Sequence, residues 1–392
     1  MSDQAISSAV AKLYDTYPFP PEPLLDSPPP GYNWRWNWLA AYNFCTGQKP
    51  LKQDIRILDA GCGTGVGTEY LVHLNPQAQV VGIDLSAGAL EVARERCQRS
   101  GADRVEFHHL SLYDVGQLEG EFDLINCVGV LHHLPNPIRG IKALAEKLAP
   151  GGLMHIFVYG ELGRWEIQLM QRAIALLQPQ DYRDGVQVGR EIFASLPEDN
   201  RLVKREKERW SMENQRDECF ADMYVHPQEI DYNIDTLFEL INASGLDFLG
   251  FSNPSVWQLD RLLDKSPQLI ERAQQLSDQQ RYRLIELLDP STITHYEFFL
   301  GRPPLPSPDW SEDETLLNAI PDRNPCMDGW ESKCLFNYDY QIINLSDAEF
   351  AFLKACDGNT EKTVREILQQ VSLDLAGVRK LLKEQLILLS PA

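Results

Sequence analysis

The run Asp59-Ala60-Gly61-Cys62-Gly63-Thr64-Gly65 constrains the chain most. An apolar stretch, Ile55-Arg56-Ile57-Leu58, precedes it and reads as a buried parallel strand. A segment with helical spacing (Tyr70, Leu71, Leu74) follows it. Glycines at a strand-to-helix turn allow positive φ, and without a Cβ they let a ligand lie against the backbone. Gln79-Val80-Val81-Gly82-Ile83-Asp84 is a second strand ending in a carboxylate, nineteen residues beyond Gly65. That spacing suits a βαβ unit whose second acid holds ribose hydroxyls.

A glycine-rich turn also serves NAD enzymes and plain turns. The acid placed before the first glycine, Asp-x-Gly-x-Gly-x-Gly, resembles motif I of the class I S-adenosylmethionine (SAM) methyltransferases rather than Gly-x-Gly-x-x-Gly. Further segments carry the same resemblance: the run 104–109 followed by Ser111, the strand-like 122–128 with its turn to Leu131-His132-His133, and Ala149-Pro150-Gly151-Gly152 before the apolar run 153–159. Helical spacing at Ala89, Val92, Ala93 and Cys97, and at Ile141, Leu144, Ala145 and Leu148, supplies crossovers. Alternating strands and helices imply a parallel sheet covered on both faces. The expected fold is therefore α/β, a Rossmann-like seven-stranded methyltransferase sheet whose last strands fall near 246–252 and 294–302.

The resemblance also implies roles. Asp59, Gly61, Gly63 and Gly65 would approach the methionine part of SAM, Asp84 the ribose, and Leu85 the adenine. Ser111 stands where the family commonly has an acid; Leu112 would offer a backbone N–H, and Val128 would complete the cofactor site. His132, His133 and Tyr159 leave strands at the ligand-binding edge and are the candidate catalytic residues. Glu161, Arg164 and, more weakly, His226 are further candidates. The Asn-Pro-Pro-Tyr motif of amide methyltransferases is absent, Asn126-Cys127-Val128-Gly129 standing in its place.

The chain of 392 residues exceeds one typical domain. Residues 1–50 read as an N-terminal extension or lid: a short helix (Ile6, Val10, Leu13, Tyr14), seven prolines between Pro18 and Pro30 that forbid a long helix, then Tyr32-Asn33-Trp34-Arg35-Trp36-Asn37-Trp38. Residues 51–304 would be the methyltransferase domain, with a helical insertion at 161–235 in which Trp165, Leu169, Ala173 and Leu177 mark a buried face. After a proline-rich linker, 305–392 would form a small, mainly helical, winged-helix-like domain, similar to modules that bind peptides or, alternatively, a helical cap that only stabilises or dimerises the enzyme.

A net charge of −21 argues against nucleic acid as a partner. The alternating charges of 204–209 read as a solvated helix face. Eight scattered cysteines lack metal-ligand spacing, so no metal is expected. The first residues show no secretory signal and no apolar run suits a bilayer, so a cytoplasmic protein with no membrane partner is expected. The layout resembles cyanobacterial methyltransferases, among them those that modify an asparagine of a phycobiliprotein. A protein side chain is thus the expected acceptor, and a small molecule the alternative. Oligomeric state is not legible.

Overall fold

The computed structural model describes residues 2–391. Seven strands form one mixed sheet: β1 (Arg56–Ala60), β2 (Gln79–Asp84), β3 (Val105–His109), β4 (Phe122–Val128), β5 (Leu148–Tyr159), β6 (Asp247–Phe251) and β7 (His295–Gly301). Their order is β3-β2-β1-β4-β5-β7-β6. The first five are parallel, and β7 runs antiparallel between β5 and β6. The glycine-bearing 149–152, read from the sequence as preceding the strand run 153–159, is taken into β5. The strand starts at Leu148 and passes a register irregularity opposite β4, with Gly151 at positive φ.

Helices cover both faces, as a parallel sheet requires. On one face α5 (Pro137–Lys147) and α10 (Ile234–Ser244) seal a core containing Leu58, Ile125, Met154, Ile156 and Phe298. On the other, α2 (Trp38–Thr46), α3 (Val66–Leu74) and α4 (Ala87–Ser100) bury Trp38, Leu71 and Cys97 against Ile57, Val80 and Leu124. Local chemistry starts these helices where the sheet needs them. Ser86 caps α4, Asn136 caps α5 with Pro137 in its first turn, and Asn233 with Thr236 makes a reciprocal cap on α10.

The extension begins as α1 (Asp3–Thr16) and continues without regular structure through the prolines. Fully buried Arg96 holds that segment, donating to the carbonyls of Glu22 (2.6 Å), Pro23 (2.9 Å) and Thr64 (2.9 Å). Asp15 accepts from the Ser86 hydroxyl (2.6 Å) and the Gly88 N–H (3.2 Å), fastening α1 to the start of α4.

The insertion supplies α6 (Trp165–Leu176), α7 (Tyr182–Ser195), α8 (Arg201–Arg209) and α9 (Asp217–Tyr224). The buried face of α6 is Ile167, Met170 and Ile174, not the expected row, since Leu169 and Leu177 are exposed. That face packs with Val186, Phe220 and Leu13, so a partner from α1 selects it. In α8, Val203 is buried, and Arg205 and Arg209 donate to the Ser291 carbonyl.

Residues beyond Pro308 build their own core around Leu316, Phe352, Leu353, Val378 and Leu381. Helices Asp347–Cys356, Val364–Leu368 and Leu375–Lys383 are joined by two antiparallel strand pairs. This unit meets the extension: Lys49 N–H donates to the Leu389 carbonyl (2.6 Å), and Tyr32 stacks on Tyr340 at 4.5 Å. Among the described residues, no helix is long and apolar enough to cross a membrane.

Candidate functional site

The chain leaves β1 toward β2 on one side and the sheet continues to β4 on the other, so a crevice opens beyond the carboxyl ends of β1 and β4. A cavity of about 400 Å³ occupies it. Asp59, Gly61, Gly63, Asp84, Leu85, Ser111, Leu112 and Val128 line the cavity, as do His133 and Tyr159. Gly65 and His132 do not.

The turn after β1 is held from three directions. Gly61 and Cys62 N–H groups donate to the Ile83 carbonyl (2.8 and 2.9 Å), and Gly63 N–H donates to Asp84 Oδ2 (2.8 Å). From above, the Thr64 N–H donates to the Phe19 carbonyl (3.1 Å) and the Thr64 hydroxyl to that of Pro20 (2.6 Å). Gly63 has φ +52°, and a Cβ there would stand 2.4 Å from the Phe19 oxygen. Only glycine lets the extension sit this close. Gly65 (φ +80°) serves packing: a Cβ would come 2.9 Å from Ala93, so its absence sets the approach of α3 to α4.

Two carboxylates face the cavity. Asp84 also accepts from the Ser86 N–H (2.8 Å), and burial raises its pKa. Asp59 is buried, with the Thr68 hydroxyl at 2.6 Å and Asn126 Nδ2 at 2.8 Å. Burial outweighs those donors and pushes its pKa up to about 6. Asn126 is oriented in turn by His155 Nδ1 (2.9 Å), whose Nε2 meets Glu297 (3.1 Å). Burial alone would raise Glu297, but His155, Arg35 (2.7 Å) and Ser252 (2.7 Å) hold it at about 2. This chain of contacts crosses the sheet from the cavity to the extension. The sequence did not reveal it, because its members are scattered from the extension to the last strand of the sheet.

Helix α3 starts without a side-chain cap, and Val66 and Gly67 of its first turn line the cavity. Uncapped N–H groups beside one buried and one half-buried carboxylate suit a ligand carrying both a carboxylate and cationic groups. Leu85, Ala89, Leu110 and Leu112 supply an apolar slot for a planar ring.

The second wall is assembled from distant parts. Tyr14 of α1, Asp222 of α9, His133 from the short turn after β4, and Tyr159 at the end of β5 meet there. Tyr14 donates to Asp222 Oδ1 (2.8 Å), and Tyr159 lies 3.5 Å from Oδ2. His226 stacks on His133 with ring centres 3.7 Å apart. His133 Nδ1 donates to the Gln228 carbonyl (2.9 Å), leaving Nε2 free to accept a proton. Burial lowers the pKa of His133, so it is a neutral base near pH 7.

His132 is fully buried, its ring 4.0 Å from that of Tyr159, and neither nitrogen has a hydrogen-bond partner among the described residues. Arg164 lies 3.4 Å from the centre of the Tyr159 ring and pairs with Glu229 (3.2 Å), outside the cavity lining. Glu161 accepts from Asn233 (2.8 Å) and is also outside the lining. Tyr14 and Asp222 were not sequence candidates; a lone tyrosine in a helix and one acid in an acidic insertion carry no motif.

Residues 58–154 match the family model described as a methyltransferase domain. An uncharacterized protein of Synechococcus sp. is 64% identical over 394 aligned residues, covering 99% of this chain and 94% of that protein. The chain belongs to the class I SAM-dependent methyltransferases. An uncharacterized phycocyanin operon protein W of Pseudanabaena tenuis is 78% identical over 100 residues, 26% of this methyltransferase and 94% of that protein. A ubiquinone biosynthesis O-methyltransferase of Aromatoleum aromaticum is 42% identical over 98 residues, 25% of this chain and 41% of that enzyme. The fold is shared with PKMT2 of Rickettsia typhi in complex with AdoHcy, at a TM-score of 0.61 and 15% identity over 93% of this chain and 77% of that one. SAM is the cofactor of this methyltransferase, and the cavity's two carboxylates, uncapped helix start and apolar slot fit it.

Proposed function

We propose that this methyltransferase modifies a protein side chain, an asparagine of a phycobiliprotein, in the cytoplasm. The observation that carries the reading is the 78% identity to a phycocyanin operon protein along 94% of its length. Genes of one operon commonly serve one assembly, so the operon's pigment protein is the natural acceptor. The unit beyond Pro308 adds support: Phe336 and Ile342 stand exposed on its paired strands, an apolar edge suited to a protein partner.

Asp59 and the first turn of α3 are assigned to the methionine end of the cofactor. Asp84 is assigned to the ribose, and Leu85, Ser111 and Leu112 to the adenine. SAM supplies a methyl group on a sulfonium, whose C–S bond breaks with its electron pair passing to sulfur. The protein's part is chiefly alignment, from which much of the rate comes. His133 Nε2 takes the proton that the acceptor nitrogen releases as it bonds to carbon. Tyr159 borders the acceptor, and α1 with Phe19 and Pro20 excludes water. No zinc or other metal is assigned a role, and nucleic acid and membrane are not assigned as partners.

Labelled SAM, separated phycocyanin subunits and a cyanobacterial lysate test the proposal. Label on one asparagine of a phycobiliprotein chain is expected. Label confined to a low-mass fraction would favour a small-molecule acceptor, the reading suggested by the largely apolar cavity.

A further inference from the structure

We infer that Tyr14 of the N-terminal helix and Asp222 of the insertion are positioning residues for His133, so that seating α1 and readying the proton acceptor are one event. This rests on the proposed role of His133, but not on the identity of the acceptor.

The hydrogen bonds set the direction of each proton. Gln228 uses both its backbone groups: its carbonyl accepts from His133 Nδ1 at 2.9 Å, and its N–H donates to His226 Nδ1 at 3.1 Å. Neutral His133 is therefore bare at Nε2, while neutral His226 carries its proton at Nε2. The Tyr14 hydroxyl lies 3.3 Å from His226 Nε2 and accepts that proton's hydrogen bond; it donates its own to Asp222 at 2.8 Å. The two tyrosine hydroxyls thus hold the Asp222 carboxylate, one on each oxygen.

Donor atoms of His133, Asp222 and His226 all lie within 4.8 Å of one another. That spacing would also suit a divalent cation. The Gln228 N–H argues against one, because His226 would need Nε2 bare and Nδ1 protonated, with two N–H groups then facing each other. The same closeness lets the Asp222 carboxylate stabilise a proton newly arrived on the His133 ring.

The groups facing His133 are Tyr14 from α1, Asp222 from α9, His226 from the loop after α9, Tyr159 from β5, and His132 beside it. Arg164 adds an opposing positive charge, itself paired with Glu229 and Asp231. Among the described residues, Asp222 is thus the one negative group directly at the base, and Tyr14 the contact that depends on α1. Asp15, the next residue, ties α1 to Ser86 and Gly88, beside cofactor-facing Asp84. One helix end thereby registers both halves of the site.

The test uses the full-length enzyme with S-adenosylhomocysteine as probe, and compares Tyr14→Phe and Asp222→Asn with wild type. Histidine NMR reads tautomer and titration without turnover. Wild-type His133 should carry its proton at Nδ1 when neutral. Tyr14→Phe frees one oxygen of Asp222 to attract a proton on His133, so its titration should move to higher pH. Asp222→Asn removes the counter-charge and should move it to lower pH. The acid limb of kcat should follow in the same opposite directions. The rate should fall about 10- to 100-fold in each variant, the size seen when a partner orienting a ligating histidine is removed, with S-adenosylhomocysteine affinity within about threefold.

A His133 with its neutral proton at Nε2, or titration unmoved by both variants, would overturn the inference. So would tight stoichiometric zinc binding that is lost in His226→Ala. If wild type labels no phycobiliprotein, the acceptor assignment fails, while the NMR measurements still decide this one.

Discussion

The two walls of the cavity are built in opposite ways. The cofactor wall comes from consecutive βα turns, with Asp59, Gly63, Asp84, Ser111 and Leu112 following one another along the chain. The acceptor wall joins Tyr14 to Asp222 and His226, 208 and 212 residues away. The first wall is laid out by the sheet, and the extension is bonded onto its glycine turn. The second exists only when α1, the insertion and the end of β5 are packed together. The difference teaches that binding of the cofactor and readiness for chemistry are separable in this molecule, and can be damaged separately.

The largest expected effect lies on the acceptor wall. His133→Asn should lower kcat by about 100- to 10,000-fold, the usual contribution of a general base, while calorimetry shows SAM affinity unchanged within about threefold. Equal losses in kcat and affinity would mean that the walls are not independent.

The next lies on the cofactor wall. Asp84→Ala removes a carboxylate that accepts from Gly63 and Ser86. A charge-assisted bond contributes about 1.5–3 kcal/mol, so SAM should bind at least about tenfold more weakly. Unchanged affinity in a folded variant would contradict the ribose assignment.

A pH effect sharpens the contrast. Burial raises Asp59 to about 6, so this group's charge costs stability that is absent at low pH and grows as pH rises from its ordinary range through about 6. A cationic ligand favours the carboxylate. SAM affinity should therefore fall by up to about tenfold per pH unit below about 6, one proton being displaced on binding. Calorimetry from pH 5 to 8 reads the slope. On the acceptor wall the sign differs in origin: burial lowers His133, so protonation is resisted until pH falls below its ordinary titration range.

The smallest effect concerns the seam between the walls. Amide exchange at Tyr17 and Phe19, and at Thr64, whose N–H donates to the Phe19 carbonyl, should slow a few-fold when S-adenosylhomocysteine binds. Identical exchange with and without ligand would reduce the extension to ordinary packing.

The sheet was legible because most of its strands are short apolar runs bounded by glycine or acid, a local pattern that does not depend on which strand pairs with which. The last two strands were placed near their observed positions for the same reason. The buried face of α6 was misread because apolar spacing alone offers two faces. Ile167, Met170 and Ile174 won by meeting Phe220 and Leu13. Gly65 followed the motif pattern, yet its space is filled by α4 rather than by ligand. His132 and His133 are adjacent and chemically alike, but a short turn after β4 sends one into the core and the other to the cavity.

By itself, then, the sequence determined the α/β sheet, the glycine turn, and the two acids at strand ends. Those are local consequences of period, chirality and backbone freedom, and need no knowledge of what packs above them. Only the tertiary structure decided that Tyr14, Asp222, His133 and His226 share one hydrogen-bonded cluster. Their meeting depends on loop closures across some two hundred residues, and no short-range pattern in a chain records which distant surfaces will bury each other.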